Sequence, residues 1–122
     1  MKIVIVPDTL DWAIGHLAQA IVKYNPQHTF KLIPVHPRDA EELADSFEQK
    51  IREFSPDVIH FEYFRTAQQL LELKPMLKNY PIILTHHNQR DKALFHADWN
   101  KLGVDLLVTH TEKCRMKLSQ KL

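Results

Sequence analysis

Cysteine is nearly absent. Cys114 stands alone, so no internal disulfide braces the chain, and its cysteine use suits a reducing compartment. Glycine is almost as scarce, with only Gly15 and Gly103, so flexible loops are few. Charge of one sign is lacking too. Sixteen Lys and Arg against fifteen Asp and Glu leave a formal net charge of +1, with no field to recommend nucleic acid or an acidic partner. No apolar run approaches the roughly 20 residues of a membrane span. The short apolar stretch between Lys2 and Pro7 is too brief for a signal-peptide core. Linkers, low-complexity stretches and repeats are also missing. These absences point to one soluble cytoplasmic domain covering residues 1–122. Peripheral contact with the inner face of the membrane stays open, because Lys113, Arg115, Lys117 and Lys121 cluster near the C-terminus, although such a run is ordinarily a solvated face.

What is present is an ordinary globular mixture, 44% hydrophobic and 25% charged. A chain of this length hides roughly two-thirds of its unfolded surface, enough for an unaided core. Short apolar runs alternate with amphipathic stretches. Ile3 to Val6 reads as a first strand, closed by Pro7-Asp8. Ala13, Leu17, Ala20, Ile21 and Tyr24 then recur at helical spacing, with Asp11 as N-cap. Thr29 to Val35 reads as strand two. A helix through Leu43, Phe47, Ile51 and Phe54 follows, with Asp39 and Glu42 at capping-box spacing. Val58 to Phe61 is strand three. Thr66 and Gln69 suggest another capping box, and Pro75 interrupts the helix they open. Ile82 to Thr85 is strand four. A helix around Ala93, Leu94 and Ala97 comes next, then Val104 to Val108 as strand five. Thr111 opens a last helix through Cys114 and Leu118. Strict β-α alternation with apolar strands predicts an α/β, doubly wound, Rossmann-like three-layer sandwich around a parallel five-stranded sheet. Ligands of such sheets sit beyond the carboxyl ends of the strands, where strand order reverses.

Those strand ends are rich in chemistry. Asp8, Asp11, Trp12 and Gly15 follow strand one, and His36 follows strand two. His60, Glu62 and Tyr63 close strand three. Thr85, His86, His87 and Asn88 close strand four, and His110, Thr111 and Glu112 close strand five. Five of the eight histidines thus fall at strand ends. Plainer roles compete. Asp8 and Asp11 suit helix caps, Trp12 a core position, His60 a buried hydrogen-bonded histidine, and Thr111 a cap. His86 and His87 are neighbours on a strand, so their side chains point to opposite faces.

Four stretches together resemble a known family. Val6-Pro7-Asp8 through Asp11-Trp12-Ala13-Ile14 and Leu17 to Ile21 is similar to the opening of bacterial glycosyltransferases of family 4. Ser55 to Phe64, Pro81 to Asn88, and Asp105 to Glu112 with Arg115 and Leu118 are similar to later segments of that family in the same order. Asn88 stands where the family usually has aspartate, and Thr111 where it has serine. The resemblance implies a GT-B enzyme, of which this chain is the N-terminal, acceptor-binding half. The C-terminal half, which would hold the nucleotide sugar, lies beyond Leu122. Its partners would be that donor domain, a nucleotide sugar and a glycan, lipid or small-molecule acceptor. No metal or other cofactor is implied, and transfer would be retaining. His87 matches the histidine beside the donor sugar and would be catalytic. Asp8, Asp11, Trp12 and Gly15 match the loop beside donor and acceptor, with His60, Glu62, Asn88, Thr111 and Glu112 as further substrate-binding candidates. The isolated chain would be inactive.

Rival readings use the same residues. A response-regulator receiver domain has this length and alternation, and Asp8 and Thr85 fit it. It also needs carboxylates around magnesium, a phosphate-accepting aspartate after strand three and a lysine after strand five. Here Glu62 and His110 stand in those places. A zinc site could draw on His60, Glu62, His86 or His87, and His110. A non-catalytic protein-binding domain is a third reading. Strand order discriminates. The glycosyltransferase reading expects 3-2-1-4-5, which brings the Asp8–Gly15 loop to His87. An order of 2-1-3-4-5 sets Asp8 against Glu62 and removes that assignment.

Overall fold

The computed structural model describes residues 1–11, 13–86 and 98–109. Five strands form one parallel sheet: β1 (Lys2–Val6), β2 (Thr29–Leu32), β3 (Val58–Phe61), β4 (Ile82–His86) and β5 (Leu106–Thr109). Between them run α1 (Ala13–Tyr24), α2 (Ala40–Phe54), α3 (Phe64–Leu73) and a short α4 (Trp99–Leu102). The α/β sandwich class expected from the alternation is therefore present.

The strand order is β2-β1-β3-β4-β5, not 3-2-1-4-5. β1 pairs with β3 from Ile3 opposite Val58 to Val6 opposite Phe61. The composition of the strands explains the difference. An interior strand is covered on both faces, so it must be apolar on both. Val4, Ile5 and Val6 of β1 have no exposed surface, nor do Ile59 and Phe61 of β3. β2 reads Thr-Phe-Lys-Leu, and Lys31 could not sit in mid-sheet without burying an unpaired ammonium. At the edge its Nζ lies 5.8 Å from the centroid of the Phe54 ring instead.

Helices α2 and α3 bury one stripe each on the same sheet face. Phe47 and Ile51 of α2 and Leu70 and Leu71 of α3 meet Val4, Val6, Ile59, Phe61 and Leu84, and Trp99 of α4 closes the cluster. The capping boxes expected from sequence do not form. Asp39 makes no side-chain cap bond; instead a 3-10 turn at Pro37–Asp39 leads into α2, and the His36 side chain accepts the Arg38 N–H. α3 starts earlier than expected, at Phe64, which frees the Thr66 hydroxyl to donate to Val35 O at 2.8 Å. Pro75 ends the α3 stretch in a second 3-10 turn, Pro75–Asn79, as its missing N–H requires. The helix expected around Ala93 and the one opened by Thr111 lie outside the described residues.

Candidate functional site

The interior pairing of β3 assembles a polar corner at the carboxyl edge. His60 and Glu62 are two apart along the chain direction of β3, so their side chains share a face. His60 faces Ile83 and Phe61 faces Leu84 across the ladder, which sets Glu62 beside Thr85 on the next step. On the other flank, Glu62 N–H donates to Val6 O at 3.0 Å, so the end of β1 adjoins the same corner.

Asp8, Glu62 and Thr85 are buried, Glu62 to 1% exposure, and the His60 side chain is 22% exposed. His60 Nε2 lies 2.7 Å from Thr85 Oγ1 and 3.3 Å from Glu62 Oε1. Both contacts use the same ring nitrogen. A nucleophilic relay of the Ser-His-Asp kind needs hydroxyl and carboxylate on opposite nitrogens, so this arrangement holds Thr85 rather than activating it. Asp8 uses Oδ1 to accept the Thr9 N–H at 2.8 Å. This bond turns the loop. His86, on the opposite face, is also buried and meets the Phe64 ring edge-on at 5.9 Å.

Of the residues expected from sequence, the structure brings together His60 and Glu62, while Asp8 stands in the loop after β1 and lines a cleft with Asp11, His36 and Arg38. Asp11 is exposed on the loop beyond Asp8. Gly15 lies in α1, where it lets the loop backbone pack directly on the helix. Trp12, His87, Asn88, Thr111 and Glu112 lie outside the described residues. Thr85 stands outside the glycosyltransferase site expected from sequence and enters only through the receiver reading. Its place beside His60 depends on β3 and β4 being neighbours. Among the described residues, no group of three or more His, Cys, Asp or Glu is placed to hold a metal ion.

No protein-family profile and no curated protein sequence matches the chain. Solved structures do. NtrX from Brucella abortus, determined in complex with ATP, aligns over 98% of this chain with 17% identity and a TM-score of 0.58. The phosphorylated cyanobacterial phytochrome response regulator RcpA aligns over 98% with 21% identity and a TM-score of 0.55. The chain spans 25% of the NtrX chain and 87% of the RcpA chain. At such identity the likeness carries the fold alone, an α/β sandwich around a five-stranded parallel sheet.

Together with the β1–β3 pairing, this overturns the glycosyltransferase reading. The four resembling stretches are strand and helix signatures that any parallel α/β sheet repeats, and order along the chain does not fix order across the sheet. The GT-B assignment falls, and so do the nucleotide sugar, acceptor and donor-domain partners that came with it. The roles that the resemblance gave to His87 and the other candidates lose that support.

Proposed function

We propose that this chain is a receiver-like signalling domain that acts by contact with a partner domain, with the His60, Glu62 and Thr85 corner as its switch. The observation that carries the reading is Glu62. It stands just after β3, where a receiver needs its phosphate-accepting aspartate, and it lies beside Thr85, with Asp8 in the loop after the adjoining strand β1. The chemistry differs from that of a phosphorylated receiver. Glu62 is one methylene longer than aspartate, is 1% exposed, and sets Oε1 against His60, which shields it from a phosphoryl donor. Asp8 and Glu62 alone do not build a magnesium site. A buried carboxylate next to an imidazole instead gives the acceptor position a fixed occupant, and contact with a partner sets the state. Among the described residues no helix is long and apolar enough to cross a membrane, and with one cysteine in the chain we place the domain in the cytoplasm.

The test is incubation with acetyl phosphate and magnesium, followed by intact-protein mass spectrometry. No phosphoryl adduct is expected. An adduct on Glu62 would restore a phosphorylation switch. In parallel, His60→Gln should move amide resonances at the ends of β1 and β4 as well as in β3. Changes confined to the neighbours of residue 60 would remove the switch from this corner.

A further inference from the structure

β2 has β1 on one side and, among the described residues, no strand on the other. Thr29 N–H donates to Met1 O, Ile33 N–H to Ile5 O and Val35 N–H to Pro7 O, so alternate residues turn their peptide groups inward. Phe30 and Leu32 turn theirs outward, and among the described residues no hydrogen bond reaches them. Pro34 holds the next outward position and has no N–H, so the row of donors ends there. We infer that this edge takes up an extended acidic segment of a partner protein as an added antiparallel strand, with a carboxylate opposite Lys31. β1 stands between β2 and the His60–Glu62 corner, so the inference does not rest on the switch proposed there.

Charge chooses the occupant. Lys31 Nζ lies 5.8 Å and Lys2 Nζ 5.3 Å from the centroid of the same Phe54 ring. Lys2 Nζ donates to Phe54 O at 3.1 Å, and among the described residues neither ammonium has a carboxylate partner. The Asp57 carboxylate accepts the Lys2 backbone N–H instead, at 2.8 Å. Two ammoniums beside one edge thus lack the counter-charge that a partner's Asp or Glu would bring. The chain's net charge is only +1, so this is a contact effect and not long-range steering.

A second copy of this chain is the poorer occupant. Pairing two β2 edges so that Phe30 meets Leu32 of the other copy uses every outward N–H. It also sets the two Lys31 side chains directly opposite each other, where like charges destabilise. Shifting the register relieves the lysines but brings the edge against Pro34 or against His28, whose N–H is already bonded to Asn25 O. A foreign strand meets neither difficulty. Lys31 faces one side of the sheet, and Phe30 and Leu32, both half-buried, face the other. Residues directly opposite share a side in an antiparallel pair, so the fitting pattern is apolar, acidic, apolar.

The probe is the end-blocked peptide Ser-Thr-Val-Glu-Val-Thr-Ser, added at neutral pH and low salt to the full chain labelled for amide NMR. It should shift the Phe30 and Leu32 amides saturably and, at roughly ten times its Kd, slow their hydrogen exchange about tenfold. The same peptide with lysine in place of glutamate should bind about fivefold more weakly, the scale of exchanging an opposite-charge pair for a like-charge pair. N-methylation of both valines removes the donors that face β2 and should abolish binding. N-methylation of the glutamate, whose N–H points away, should be tolerated. Lys2→Gln combined with Lys31→Gln should erase the preference for the acidic peptide. Neither side chain belongs to the buried core, so this variant tests the edge with the fold intact. Four results would overturn the inference: equal binding of the two peptides by the parent chain, unchanged binding after valine N-methylation, no saturation by about 10 mM, or a dimer of the free chain in sedimentation that the peptide breaks, which would give the edge to a second copy.

Discussion

Gly15, which the family resemblance placed in a ligand-binding loop, packs in α1 against the backbone of Thr9 and Leu10. The sequence draws attention to it as one of two glycines, beside a loop of aspartates. The structure gives it a packing role. A methyl group there would lie 2.0 Å from Thr9 O and 2.5 Å from Leu10 Cα, because the loop backbone rests on the helix. In an open helix, alanine would be preferred to glycine by about 1 kcal/mol. Here the overlap decides the sign, and Gly15→Ala should destabilise the domain by about 2 kcal/mol in urea unfolding, the usual scale of overpacking. A variant as stable as the parent would mean that the loop stands off the helix in solution. His60 and Glu62 are the opposite case. Their spacing of two along an apolar strand already puts an imidazole and a carboxylate on one face. Their third partner, Thr85, is 25 residues away from His60, and only the sheet brings it near.

Helix ends proved the least legible elements. The residue types for capping were present at Asp39 and Thr66, but helix starts are set by what the preceding chain can do. Pro37 pre-sets a 3-10 turn ahead of α2, and Phe64, buried to 2% exposure, draws the start of α3 two residues upstream of Thr66. The pairing between α2 and the end of α3 is electrostatic at its rim. Lys74 Nζ contacts Asp45 and lies 3.1 Å from Glu48, which also binds Arg52 at 2.9 Å. The Lys74 hydrogen bond holds the Asp45 carboxyl below its usual pKa, and hydrogen bonds from Arg52 and then Lys74 do the same for Glu48. Lys74 is raised in turn, chiefly by its bond to Asp45. Depressed carboxylate values mean stabilisation that is complete above the unfolded range and lost as pH falls through the folded values. Lys74→Met keeps most of the packing and removes the charge. Its urea midpoint should lie modestly below that of the parent at pH 7 and low salt, and the gap should close in acid below the reference values of 3.8 and 4.5. The cluster is surface-exposed, so salt should shrink the gap as well. A gap that persists in acid would assign the effect to packing.

Across the whole molecule, the class of fold was readable and the order of strands was not, although the clue was printed in the composition. Alternation of strands and helices gives parallel connectivity, because each crossover must return the chain to the same end of the sheet. Which strands are interior depends on which tolerate burial on both faces, and Lys31 in β2 marks an edge. Hydrogen exchange can test this order directly. Thr29 N–H donates to Met1 O and Ile33 N–H to Ile5 O, so the alternation turns the amides of Phe30 and Leu32 away from β1. Among the described residues no strand lies beyond β2, so these two should exchange quickly even though they lie within a strand. In β3, Ile59 N–H donates to Pro81 O beside β4, and Glu62 N–H donates to Val6 O of β1. Both should be slower than Phe30 and Leu32 by about a hundredfold or more, because releasing either requires opening the centre of the sheet. If β3 lay at an edge, one of its two sets of alternate amides would face water and exchange as fast as Phe30. Fast exchange at Ile59 or Glu62 would therefore overturn the order, and with it the placing of Glu62 beside Thr85 on which the proposed switch rests.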